Sequence, residues 1–168
     1  MSGALYAASV PVFQHYLERA SGLVRRARGR PDLLDARLVA DMFTTSEQFA
    51  TAAGFALRIG YPLAGRDEPA SPSFAGDHEG LLARIAFTQE NLQALDAAAF
   101  EGAEDRVIRH RAGFAELEQS GHEFLHLFGM PNFMFHMTMG FALLRQGGLE
   151  IGKADFDALH DYPQGFRF

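Results

Sequence analysis

The most constraining feature of the sequence is a stretch of 21 residues, Phe124 to Leu144, without a formally charged side chain. That length is close to what an α-helix needs to cross a lipid bilayer. Gly129, Pro131 and Asn132 interrupt the stretch near its middle, and the remaining chain offers no second candidate span. We therefore interpret it as a buried helix of a soluble bundle, preceded by a short helical turn, and we expect no membrane partner.

The same stretch concentrates the unusual apolar residues of the chain. It holds 4 of the 6 methionines and 5 of the 16 phenylalanines. A helix that is apolar nearly all round is typical of a central position with other helices packed around it.

Composition and charge exclude several classes of function. The 168 residues are enough for one domain, and we expect a single fold over residues 1–168. The absence of cysteine excludes disulfides, iron–sulfur ligation, cysteine-based zinc sites and a cysteine nucleophile. A net charge of −6 disfavours nucleic acid as a partner. The first residues lack the charged start and apolar core of a signal peptide, so we expect a cytoplasmic protein.

Apolar spacing of three and four residues predicts four long helices. These helices are predicted at approximately 5–28, 44–63, 77–99 and 132–146. A short helical piece is predicted at 31–38 and a surface loop at 62–77. Between the third and fourth of these helices the spacing of the apolar residues is no longer helical. This change predicts a short β-hairpin over 105–119 with its turn at Ala112–Gly113. Ser120 and Glu123 then form a capping-box pattern that starts a helical turn ending near Phe128.

His136 is the main candidate functional residue, because it is polar within the most apolar helix. Helical spacing places Asn132 one turn before it and Gly140 one turn after it. A small residue beside a buried imidazole can form the floor of a pocket. The alternative is a core histidine whose nitrogens are satisfied by neighbouring polar groups.

Three polar residues of the second predicted helix are candidate partners for His136. Asp41, Thr45 and Gln48 share one face if the helix includes all of them. A carboxylate facing the imidazole would fix its tautomer and raise its basicity. The alternative is that Asp41 caps the helix while Thr45 and Gln48 face water.

A second histidine constellation suggests a metal site. His122 and His126 lie four residues apart, the spacing that lets two imidazoles on one helix face bind one ion, and His136 would supply a third nitrogen. The alternative is that both lie on the surface.

Four ordered motifs resemble those of a known family. They are the segments from Leu5 to Phe13, from Arg37 to Phe43 together with Gln48, from Pro131 to His136, and from Gly152 to Phe156. In this order and spacing they resemble the DUF1993 family, which is similar to the DinB/YfiT-like superfamily. The resemblance implies an all-α fold, an up-down-down-up four-helix bundle, here with a short β-hairpin inserted before the last helix.

The resemblance also bears on cofactors. Many DinB-like proteins bind a divalent metal through a histidine of the second helix and a His-x3-His pair of the last helix, and some are transferases or isomerases. Here His136 matches one ligand, but Gln48 and Gly140 stand where the other two are expected. The superfamily metal site is therefore expected to be lost or changed, and the cofactor is left open.

Three functional hypotheses follow. The first is a small-molecule pocket between helices, centred on His136, with Asp41, Thr45, Gln48, Asn132 and Gly140 around it, in a transferase-like or isomerase-like protein. The second is a non-catalytic bundle, dimeric with a second copy, that senses a ligand or mediates an interaction. The third is a metal-dependent enzyme that uses His122, His126 and His136.

Overall fold

The structure, a computed structural model, describes residues 3–163 and 166. The chain is mostly helical with one small antiparallel sheet of two strands. In chain order the elements are α1 Ala4–Ala7, α2 Val10–Arg26, α3 Pro31–Asp35, α4 Thr45–Leu63, α5 His78–Gln93, a 3-10 turn Ala97–Phe100, β1 Val107–Ala112, β2 Ala115–Ser120, α6 Gly121–Glu123, a π-helical segment Phe124–Gly129, α7 Met130–Gln146 and α8 Lys153–Asp157. The long helices are α2, α4, α5 and α7, as the apolar spacing predicts.

Capping residues set the start of the helix that carries Gln48. Thr44 is the N-cap of α4, where its hydroxyl accepts the Glu47 N–H at 3.2 Å and the Glu47 carboxylate accepts the Thr44 N–H at 2.7 Å. These hydrogen bonds hold the pKa of Glu47 below its usual value. The alternative that Asp41 caps this helix is therefore wrong, because Thr44 and Glu47 form the complete capping box three residues later.

Two predicted helix ends differ from the observed ones. The helix predicted over 77–99 ends at Gln93, because the Asp96 side chain accepts the Ala99 N–H and starts a separate 3-10 turn. The first predicted helix is divided at Ala8 and Ser9. The Leu5 carbonyl accepts the Ser9 hydroxyl, and the Ser9 N–H donates to the Tyr6 carbonyl three residues earlier, so the α-helical ladder is interrupted.

The last helix is longer than predicted. One continuous helix runs over Gly121–Gln146, and Gly129 and Pro131 do not end it. Pro131 follows the π-helical segment directly, where the helix changes from π-helical to α-helical hydrogen bonding and continues. Within the described ranges 3–163 and 166, this is the one helix that is long and apolar enough to cross a membrane. Core helices of soluble proteins can have the same length and composition.

Close packing of α4 on α7 explains two glycines in that helix. A Cβ at Gly129 would lie 2.9 Å from Ile59, and a Cβ at Gly140 would lie 2.7 Å from the ring of Phe49. Ile59 and Phe49 are fully buried. Glycine is therefore required at both positions by a large side chain of α4, and this close approach places Gln48 beside α7.

The predicted hairpin is confirmed, with a small shift of its turn. β1 and β2 pair antiparallel with Ala112 opposite Ala115, so the turn residues are Gly113 and Phe114. Gly113 has a φ of 60°, which suits glycine in a two-residue hairpin turn. The capping box of Ser120 and Glu123 is also present and starts α6 directly after β2.

Candidate functional site

The candidate site is built where α4 and α7 approach most closely. Gln48 follows the N-terminal turn of α4 and is buried, and His136 lies one turn before Gly140 on α7. The His136 Nδ1 lies 2.7 Å from the Gln48 Oε1. Because an amide oxygen is an acceptor only, the imidazole carries its proton on Nδ1 and leaves a lone pair on Nε2.

Aromatic rings cover the imidazole of His136. The ring of Phe55 stacks on it at 5.6 Å between centroids, and the ring of Phe43 stacks on it at 6.1 Å, both within 25° of parallel. Phe135 meets it edge-on at 5.2 Å. With stacked rings against it and Nδ1 bonded to Gln48, the Nε2 edge is the polar part of the ring that is left for a ligand.

The environment keeps this histidine neutral. Burial lowers the pKa of His136 below its usual value near 6.5. The Nε2 atom has no hydrogen-bond partner within residues 3–163 and 166, and it is not among the fully buried polar atoms there that lack one. A neutral imidazole with an unoccupied, accessible nitrogen can accept a proton near neutral pH.

A cleft of about 460 Å³ borders this histidine. Phe43 and Phe55, the two rings stacked on His136, line it, and the imidazole itself does not. One face of α4 forms its floor, with residues three or four apart. The lining is completed by Glu47, Ala50, Thr51, Gly54, Arg58, Glu68 and Arg84. The cleft lies beside His136 and is not centred on it.

The two arginines of the cleft lie against aromatic rings. The Arg58 guanidinium lies 5.4 Å from the ring of Phe55 and 5.2 Å from that of Phe128, and it donates to the Arg111 carbonyl. Partial burial raises the pKa of Glu68, although the positive charge of Arg58 opposes this effect. The cleft therefore presents arginine and glutamate side chains beside two aromatic rings.

The other residues predicted for the pocket lie elsewhere. Asp41 is exposed, precedes α4 and makes no hydrogen bond to His136. The buried Thr45 hydroxyl donates to the Ala36 carbonyl at 3.2 Å. The Asn132 side chain donates to the Phe128 carbonyl at 2.6 Å. The space expected beside Gly140 is filled by the Phe49 ring, so Gly140 forms no pocket floor.

The three predicted metal ligands do not form a site. His122 and His126 lie together, with ring centroids 4.4 Å apart, but both are exposed and His126 Nδ1 donates to the His122 carbonyl at 2.9 Å. In the part of the chain that the structure describes, no group of three or more histidine, cysteine, aspartate or glutamate side chains could hold a metal ion. His136 instead contacts Gln48 and aromatic rings.

Sequence reasoning missed Phe43, Phe55 and Arg58. Phe55 and Arg58 are spaced at three in α4, and Gln48 precedes Phe55 by seven, which is two helical turns. That spacing places an aromatic ring and a cation close to the helix face of Gln48. Both residues could therefore have been predicted from the sequence. Phe43 lies before the helix, where periodicity carries no information.

Comparison with known proteins agrees with this architecture. The family model "Domain of unknown function (DUF1993)" matches residues 5–157. The chain belongs to the DUF1993 family. Among solved structures, a DinB family member protein from Shewanella denitrificans is similar, with 26% sequence identity, a TM-score of 0.85 and coverage of 96% of each chain. The resemblance predicted from the four motifs is confirmed. No curated protein matches this chain.

Proposed function

We propose that this DUF1993 protein binds a small molecule in the cleft beside His136 and that His136 Nε2 accepts a proton from it. The observation that carries the proposal is the 2.7 Å contact between His136 Nδ1 and Gln48 Oε1, which leaves Nε2 as the free nitrogen. Nε2 is accessible and carries a lone pair, so a proton of a bound molecule can reach it.

The chemistry of the site favours an aromatic or otherwise flat molecule with an acidic proton. Phe43 and Phe55 offer apolar ring surface, and Arg58 and Arg84 offer positive charge for the anion formed when the proton leaves. The proton moves to Nε2, and the imidazolium so formed lies within about 6 Å of two ring faces that attract cations. In a transferase-like or isomerase-like reaction, this removal of a proton is the step assigned to His136.

We further infer that α2, α4, α5 and α7 follow the up-down-down-up order of DinB-like bundles. Support comes from the family match and from the similarity to the DinB family member over 96% of the chain. In this order Gln48 and His136 occupy the positions where the resemblance places histidine ligands, so the amide replaces one ligand and orients the other.

The proposal is tested with 4-nitrophenol, an aromatic acid whose visible absorption reports its ionisation. We expect wild-type protein to bind it and to shift its ionisation, and His136→Gln to lose both effects. His126→Gln, which removes an exposed imidazole, is the matched control and should behave as wild type. Nitrogen-15 spectra of the imidazoles should show His136 protonated on Nδ1 at neutral pH. Protonation on Nε2, or equal binding by His136→Gln, would refute the assignment.

A second candidate function is an interaction between two copies of the chain. Leu127 and Phe135 are 70% and 52% exposed, and with the exposed Pro131 they lie four residues apart along one helix face. Apolar side chains aligned in this way favour a protein partner, and we propose a homodimer as that partner. Light scattering should report a dimer that Phe135→Glu converts to a monomer, and a wild-type monomer at high concentration would contradict it.

A further inference from the structure

A second cleft lies on the other side of α7 from His136. Thr138, Phe141 and Arg145 are spaced at three and four, so they share one helix face. At about 100° per residue, that face is turned roughly 140–200° away from His136. Together with Lys153 and Phe156 of α8 these side chains line a cleft of about 500 Å³.

The inner wall of this cleft is aromatic. Phe141 and Phe156 meet edge-on at 5.4 Å, and Phe156 also contacts the ring of Tyr16 at 5.3 Å. Half-buried rings held by one another form a fixed apolar wall, against which an aromatic or aliphatic body can pack.

The rim of the cleft is cationic, and no carboxylate lines it in the part of the chain that the structure describes. Neither Arg145 nor Lys153 forms an ion pair within residues 3–163 and 166. One Arg145 nitrogen donates to the Ile151 carbonyl, which fixes the guanidinium at the rim. Lys153 is the only lysine of the sequence.

The acids of α8 are committed to other partners. Asp155 pairs with Arg26 at 2.5 Å and accepts the Gly152 N–H at 2.7 Å. Asp157 accepts the Leu159 N–H at 2.9 Å and contacts the His160 ring, and these hydrogen bonds hold its pKa below the usual value. Lys153 is thus left without a counter-charge on its own helix.

We propose that this cleft, lined by Thr138, Phe141, Arg145, Lys153 and Phe156, binds a small amphipathic carboxylate. The carboxylate lies between Arg145 and Lys153, and the apolar part packs on Phe141 and Phe156. Two unpaired cations at an apolar wall select an anion over a neutral or cationic analogue of the same shape, even in a protein of net charge −6. The site is separate from the His136 cleft and does not depend on the function proposed there.

The test uses 4-phenylbutyrate as the probe, with 4-phenylbutyramide and 4-phenylbutylamine as neutral and cationic analogues. Binding to the full chain is measured by calorimetry and by ligand-observed NMR. We expect the carboxylate to bind and the amide and amine to bind about tenfold more weakly or not at all, as loss of one charge-assisted contact implies. Absence of carboxylate binding, or equal binding of the amide, overturns the proposal.

Variants locate the site. Lys153→Gln removes an exposed charge that forms no ion pair within residues 3–163 and 166, so it should fold normally and weaken 4-phenylbutyrate binding about tenfold. Arg145→Gln should act similarly, and Thr138→Phe should block the cleft without changing its charge. Arg25→Gln removes an exposed arginine of α2 and is the matched control. If Arg25→Gln weakens binding as much as Lys153→Gln, or if Lys153→Gln and Thr138→Phe both bind as wild type, the assignment is wrong.

Discussion

Replacing Gly140 with alanine tests the packing that builds the candidate site. The added Cβ would lie 2.7–2.9 Å from three atoms of the Phe49 ring. Carbon atoms prefer about 3.5–4.0 Å, so the overlap is about 1 Å. Phe49 is completely buried, so its ring can move only if neighbouring core side chains move with it. Overpacking of this kind costs about 2–3 kcal/mol, and the helix preference of alanine over glycine returns about 1 kcal/mol. The net destabilisation should be about 1–2 kcal/mol.

Gly22→Ala is the matched control, because it makes the same substitution inside α2 where a Cβ would meet nothing within 4 Å. We expect it to stabilise the protein by about 0.4–1 kcal/mol. In thermal and urea denaturation, the melting temperature should fall by roughly 2–8 °C for Gly140→Ala and rise by roughly 1–4 °C for Gly22→Ala. If Gly140→Ala is as stabilising as Gly22→Ala, Gly140 has open space beside it and the packing argument is refuted.

Three further predictions concern His136 and the hairpin. Gln48→Glu should raise the pKa of His136, because a carboxylate replaces an amide oxygen 2.7 Å from Nδ1, and an NMR titration that finds no rise would contradict the contact. Since folding lowers the pKa of His136 below the value near 6.5, the unfolded chain binds this proton more readily. The free energy of unfolding should therefore fall as pH drops through about 6.5, less steeply in His136→Gln, and identical pH profiles from urea denaturation would exclude the effect. Phe114→Ser, at a side chain 99% exposed, should change stability by less than about 0.5 kcal/mol, whereas Phe124→Ala in the core should cost about 3–5 kcal/mol by the same measurement.

Periodicity predicted the long helices and the hairpin because both depend on local sequence. Helix ends were predicted less well, since they depend on which side chain caps which N–H. Gly129 and Pro131 show the limit most clearly. In the sequence they are typical of a helix end, but the glycine is required by Ile59 across the interface with α4, and only the three-dimensional packing contains that information.

Only part of the candidate site could be predicted, because the rest of it also depends on three-dimensional packing. His136 stands out by being polar in an apolar helix, and Gln48 followed from helical spacing. The expected role of Asp41 depended on α4 starting before Thr44, and the expected space beside Gly140 depended on no large side chain facing it. Both are properties of neighbouring elements, so the residues next to His136 in sequence could not reveal them.

The π-helical segment Phe124–Gly129 has a consequence for comparing related sequences. A π-helical turn pairs each N–H with the carbonyl five residues earlier, so it holds one residue more than an α-helical turn. Relatives whose helix is α-helical throughout should align with a single-residue gap inside 124–129. An alignment that places the gap in the hairpin loop would shift the positions between that loop and this turn by one, and the capping residues Ser120 and Glu123 would then be compared with the wrong residues.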